Sequence, residues 1–184
     1  IIMSGGQIIN NTANSTGQGQ GQGGGLFVNG VLTMSGGTIA DNTASSSSSN
    51  FGDQLRLQAN NANCRFLMSG GYFGGNSGSN SISDRTNSVT NITGGYFSDK
   101  SIIRNDAWLT DADGEEYVAV HADVEAADYN AAFPNQVVAK SDIGASVTYG
   151  SVTEQFVGIS TAFNYANTLS TSADNRATIT LLGN

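Results

Sequence analysis

Asp111, Asp113, Glu115 and Glu116 fall within six consecutive positions and form the densest run of carboxylates in the chain. Carboxylate oxygens are hard donors, and the chemistry they suggest is Ca²⁺ binding. The run lacks the full D-x-[DN]-x-[DN]-G loop with its distal Glu. Asp113-Gly114 is also a strong hairpin-turn signal, so solvated acids at a hairpin tip are the simpler reading. Tyr72 and Tyr96 follow matched Gly pairs at Gly70-Gly71 and Gly94-Gly95. Each precedes an apolar Phe, so by strand parity the two Tyr rings face outward when Phe73 and Phe97 face inward. Outward rings at a repeated position suit stacking against a glycan or a protein surface.

Other residue types offer less. His121 is the single histidine, and with neither a second His nor a thiolate beside it in sequence a zinc site is not expected. Cys64, the single cysteine, stands two before Phe66 on one strand face and reads as a small core residue. With one cysteine, no disulfide forms within the chain. Residues 17–25, GQGQGQGGG, contain a formal G-x-G-x-x-G, but a strand follows where a helix N-terminus would have to meet a phosphate. That stretch is expected to be a flexible loop.

The elements that must position these residues announce themselves by repetition. MSGGQI at Met3–Ile8 returns as MSGGTI at Met34–Ile39, MSGGYF at Met68–Phe73 and ITGGYF at Ile92–Phe97. Self-similarity at this period is the signature of a solenoid. Aligned, the phrases give columns. Two before the Met stand Ile1, Leu32, Phe66 and Thr90. The Met column is Met3, Met34, Met68 and Ile92, and five later come Ile8, Ile39, Phe73 and Phe97. The Gly pair lies between two strand stretches and supplies a corner. Asn11, Asn42 and Asn76 form a further column, expected to be an Asn ladder at a turn, with a polar binding stripe as the other reading. The spacings between phrases are 31, 34 and 24 residues, so corners are constant and excursions vary. The polar excursions at 14–25, 45–50 and 74–88 are expected to be loops, and Leu26–Val28 and Gln54–Leu57 to be additional strands.

The pattern L-x-M-S-G-G-x-I-x-x-N-x-A at Leu32–Ala44 resembles the repeats of right-handed parallel β-helix proteins. In particular it is similar to adhesin-like bacterial cell-surface proteins with polymorphic outer-membrane-type repeats. The resemblance covers about residues 1–105, and the fourth phrase departs from it, with Thr90 in an apolar column and Asp99-Lys100 where Asn is expected. It implies a mainly β fold and an extracellular or cell-surface, non-enzymatic role as a rigid stalk. Binding to a glycan or a host protein would use loops or the outward Tyr72 and Tyr96. The same fold implies two alternatives. One is a fragment of a carbohydrate-active enzyme whose catalytic rungs lie elsewhere, because the charged residues of these rungs do not align in one column as such sites require. The other is a self-assembling module whose open ends stack on further copies.

Three parts follow: solenoid rungs over 1–105, an acidic hairpin connector over 106–145, and a β-β-α-β unit over 146–184. In the connector, Ala107–Leu109 and Tyr117–Val120 are expected to form the strands, with Trp108 and Tyr117 packing on the open end of the stack. The last unit has strands around Gly150-Ser151, helical apolar spacing at Ile159, Ala162, Phe163, Ala166 and Leu169, and a strand at Ala177–Leu182. It resembles the N-terminal cap that opens a following β-helix. The chain begins at Ile1 inside a repeat, so a piece of a longer protein is expected. Charged residues make up 12% of the chain and the net charge is −8. Residues 1–105 hold five basic and four acidic side chains, whereas 106–184 hold two and eleven. Neither part has a basic patch for nucleic acid, and no stretch approaches the roughly twenty apolar residues of a membrane helix. Beyond Ca²⁺ at the acidic run, no cofactor is expected.

Overall fold

A computed structural model describes residues 1–15, 21–45, 52–58, 62–75, 80–169 and 176–182. The repeated phrase folds as its columns require. Strands β1 (Ile2–Ile9), β4 (Val31–Ala40), β7 (Arg65–Met68) and β10 (Val89–Ile92) pair in parallel. Met3 stands over Met34, Met34 over Met68, and Met68 over Ile92. Past the Gly corner, the second half of β4 pairs with β8 (Tyr72–Gly74), and β8 with β11 (Tyr96–Phe97). Ile39, Phe73 and Phe97 make the second column. A third face consists of β3 (Leu26–Val28), β6 (Leu55–Leu57) and β9 (Ile82–Ser83), and a short pair of β2 (Thr12–Asn14) and β5 (Thr43–Ser45). The result is a β-solenoid of about four turns.

The columns are the core. Leu32, Met34, Ile39, Phe66, Phe73, Ile92 and Phe97 are fully buried. Phe73 packs between Phe66 at 5.4 Å and Phe97 at 6.3 Å, centroid to centroid, within the range of favourable ring pairs. Cys64 is buried as expected, and its thiol donates to the Val28 carbonyl at 3.3 Å. Ile1 departs from its column. It is 62% exposed because β1 is paired on one side only.

The Asn column works inward rather than through backbone conformation. Asn42 is fully buried, and its Oδ1 accepts from the Asn11 side chain and backbone, each at 2.9 Å. Its Nδ2 donates to the Ile8 carbonyl at 2.9 Å and to Gln54 Oε1 at 2.8 Å, and Gln54 Nε2 donates back to the Asn42 carbonyl at 3.2 Å. The left-handed positions belong to the preceding residues, Asn10 and Asp41. Asn76 lies outside the described residues, as do parts of all three polar excursions.

The stack closes differently from expectation. Ala107–Leu109 falls in a 3-10 turn, Asp106–Leu109, capped by the Asn105 side chain, and not in a strand. That turn buries Trp108 and Leu109 against the solenoid core, and Asn91 Nδ2 holds the Thr110 carbonyl at 2.8 Å. Arg104 lies over the Trp108 ring at 5.4 Å. The Asp113-Gly114 turn is present, closed by a single Thr110–Glu116 bridge. The strand after it, β12 (Tyr117–His121), pairs antiparallel with β13 (Asn135–Ala139), which no sequence signal had marked. β13 pairs antiparallel with β11 on its other side and so covers that edge of the last rung.

The C-terminal unit has the expected β-β-α-β order. β14 (Ala145–Tyr149) and β15 (Val152–Phe156) form a hairpin, α1 (Ile159–Thr168) follows, and β16 (Thr178–Leu181) pairs with β14. Ala145, Val147, Phe156 and Ala162 make a small second core. Of the expected apolar helix face, Ile159 and Phe163 are instead about half exposed. A His121–Phe156 pairing joins β12 to β15, so both parts share one sheet.

The corners generate a test. Gly71 sits at φ +89°, and a Cβ there would lie 2.7 Å from the Gly37 carbonyl oxygen of the next rung. Gly71→Ala should cost about 1–3 kcal/mol from backbone strain alone, read as a lower urea midpoint. A Cβ on Gly5 meets nothing within 4 Å, so Gly5→Ala should change stability by less than about 1 kcal/mol. Equal effects at both sites would show that the corners are not close-packed.

Candidate functional site

The two repeat tyrosines do leave the solenoid interior, as parity requires, but they are not free. Tyr72 and Tyr96 stack on each other at 5.3 Å, and Phe133 packs on Tyr72 at 5.4 Å. Together with Ala40, Ala122 and Tyr129 they form a separate apolar cluster, and Tyr96 is only 6% exposed. The segment between β12 and β13 crosses over them, and the Tyr72 hydroxyl donates to the Asp128 carbonyl at 2.5 Å. Burial, then a hydrogen bond to the Asp128 carboxylate, pushes the Tyr96 hydroxyl well above its ordinary value. Open stacking faces for a ligand are thus replaced by an internal aromatic prop, because the connector supplies its own apolar cover.

The acidic run is engaged as a turn. Asp111 Oδ1 accepts the backbone N–H groups of Asp113 and Glu115, each at 2.9 Å, the pattern of an Asx turn. The Tyr117 hydroxyl lies 3.0 Å from Glu115 Oε2 and 3.2 Å from Asp111 Oδ2. The bond to Glu115 is the chief reason that this hydroxyl is pushed up to about 12. Glu116 pairs with Lys140 at 2.8 Å. Among the described residues, no three His, Cys, Asp or Glu side chains converge as a metal would require.

Where the connector folds back beside the stack, a concave surface forms that no motif had indicated. A groove of about 570 Å³ has the rung corners as its floor, with Ser35, Ser69 and Thr93 from successive turns and the Gly pairs beside them. β13, hydrogen-bonded beside β11 and to the corner by Val137 N–H donating to the Gly95 carbonyl at 3.0 Å, forms the flank of the groove. Asp128, Gln136 and Asp142 bring polar side chains, and Tyr96 and Tyr117 bring rings. Tyr117 also borders a second cavity of about 470 Å³ between the 106–109 turn and Lys140. The sequence reading did not single out this Ser/Thr position, because its meaning depends on β13, which pairs with β11 in an antiparallel sense.

A third place of chemical interest lies where the parts meet. Lys100 from the last rung forms an ion pair with Glu154 of β15, and His121 Nε2 of β12 lies 3.5 Å from the same carboxylate. The imidazole stacks on Phe156 at 5.4 Å and against Tyr165 at 4.9 Å. One side of this junction opens into an apolar cavity of about 200 Å³. The expected place of His121, at a strand end, is correct. Its two charged neighbours are 21 and 33 residues distant in sequence, so the sequence alone did not assemble them.

Comparison with protein families, with characterised proteins and with solved structures finds no match to this chain.

The junction has a pH consequence. Burial, then the Lys100 charge, lowers the His121 pKa from its ordinary 6.5, against the opposing pull of Glu154. The unfolded chain therefore takes up a proton that the folded chain resists, and stability falls as pH drops below the ordinary imidazole value. The urea midpoint should decline on acidification through that window, and His121→Gln should flatten this segment of the profile. An unchanged slope in the variant would assign the pH dependence to other groups.

Proposed function

We propose that this chain is a non-enzymatic segment of an extracellular, adhesin-like bacterial surface protein, in which a rigid β-solenoid holds a binding surface away from its anchor. The observation that carries the proposal is the parallel stack of interior columns, locked in its first two turns by the Asn11–Asn42–Gln54 network. Such a stack is quasi-one-dimensional and gains length by repeating one unit, which suits a spacer. The charge distribution supports it too. Residues 1–40 carry no charged side chain, while the acidic groups gather in the connector and beyond. The C-terminal unit, in this reading, caps a following solenoid.

A second reading is association between copies, in which the strand groups at the end of one solenoid stack on the rungs of another.

Beads coated with the chain should adhere to mucin or plant cell-wall surfaces, and soluble chain incubated with the same polysaccharides should release no new reducing ends. Release of reducing ends would replace the proposal with a carbohydrate-cleaving enzyme. Failure to adhere to either surface would remove the adhesive role. Sedimentation giving monomer alone at high concentration would dispose of self-association.

A further inference from the structure

We propose that the corner groove binds a hydroxyl-rich oligosaccharide without acidic groups, lying across the rungs between the Ser35–Ser69–Thr93 column and β13. This rests on the adhesive reading and gives it a site and a ligand class.

The size is right, since about 570 Å³ falls inside the usual range for ligand sites of roughly 300–1,000 Å³. The floor presents one hydroxyl per turn, and turns of a parallel stack repeat at about 4.8 Å. Between those hydroxyls the backbone of Gly70-Gly71 and Gly94-Gly95 lines the floor. Both features are fixed by the rung hydrogen bonds and by the Val137–Gly95 bond at the edge of the groove. Little ordering cost remains to be met on binding.

The lining chemistry selects the class. Gln136 offers both a donor and an acceptor, while Asp128 and Asp142 accept from hydroxyls. The Tyr117 ring borders the same space and leads on to the second cavity. A sugar ring matches such a lining, with polar edges for the amide and carboxylates and a C–H face for an aromatic side chain. No Lys, Arg or His lines the groove. Uronates, sulfated sugars and phosphates would face two carboxylates without a compensating cation. A peptide added as a strand would need an unpaired strand edge, and β13 is bonded to β12 along its length and to β11 and Gly95 over Asn135, Gln136 and Val137, which leaves only two residues on that side.

The test is a heteronuclear NMR titration of the whole chain with linear hexasaccharides of β-linked glucose, xylose and mannose. Hexagalacturonate and an oligolysine serve as competing probes. At least one neutral hexasaccharide should move the amide signals of Gly70, Gly71, Gly94 and Gly95, and hexagalacturonate should move none. Ser69→Leu, at an exposed corner position, should fill the groove and abolish the response. Gln136→Ala should weaken it by about tenfold, the effect of one lost hydrogen bond near the upper end of the usual range. Ser160→Ala, on the exposed side of α1, should leave it unchanged. No response to any of the three neutral hexasaccharides overturns the proposal. So does a response to hexagalacturonate or oligolysine in their place, or one that survives Ser69→Leu in a folded variant. Adhesion of coated beads without any groove response would defeat the groove and leave the adhesive role standing. Release of reducing ends would defeat the adhesive role whatever the groove binds.

Discussion

Met3, Met34, Met68 and Ile92 share a column because each rung hydrogen-bonds to the next in one parallel register. Every other feature depends on that register. In a strand the side-chain period is two, so a slip by one residue would turn the whole interior set outward. The register is pinned at the corners and, between the first two turns, by a buried amide network. At the corner, only glycine fits beneath the backbone of the neighbouring rung. At the next turn, buried Asn42 is held from both sides by Asn11 and Gln54. A buried amide with its partners in place adds little net stability, but an amide displaced from them would leave polar groups unsatisfied in the core. The network therefore penalises misregister more than it rewards the correct fold.

The parts of this structure that were legible in the sequence are those where neighbours are copies of each other. The Met and Ile/Phe columns, the Gly corners, and the strands at 26–28 and 54–57 needed only alignment of the chain with itself. The C-terminal hairpin, helix and strand were legible because each signal is local. What stayed hidden had no copy and no local cue. β13 reads as NQVVA, a short mixed run whose role comes only from meeting β11 in an antiparallel sense. Parity gave the direction of Tyr72 and Tyr96 correctly, yet it could not show that Phe133, far along the chain, would cover them. Gln54 was read as part of a strand, but its side chain does the work of a ladder member. The Lys100–His121–Glu154 junction joins three segments that no sequence signal linked.

The change from parallel to antiparallel pairing at β11–β13 carries a structural cost and a functional gain. A solenoid that simply stopped would leave a rung edge open to any chain with strand-forming groups. Thr90 shows the stack already weakening there: it is 4% exposed and its hydroxyl is buried without a partner. The antiparallel hairpin closes one side of that edge, and the Trp108 turn closes another. The acidic residues of this region are tied into the closing elements, with Asp111 capping its turn and Glu116 paired with Lys140.

Concavity is what the regular stack lacks. A column of identical corners presents a convex ridge, and a convex ridge cannot desolvate a ligand on more than one side. Only where the chain folds back does a second wall stand beside that ridge, and the same strand that terminates the solenoid provides it. This explains why the Ser/Thr column becomes a groove at Ser35, Ser69 and Thr93 near the cap and gathers no wall at Ser4. Repetition supplies a rigid floor with evenly spaced hydroxyls, and termination supplies the carboxylates, the amide and the Tyr117 ring. In this chain, the proposed groove and the end of the repeat are one structural event.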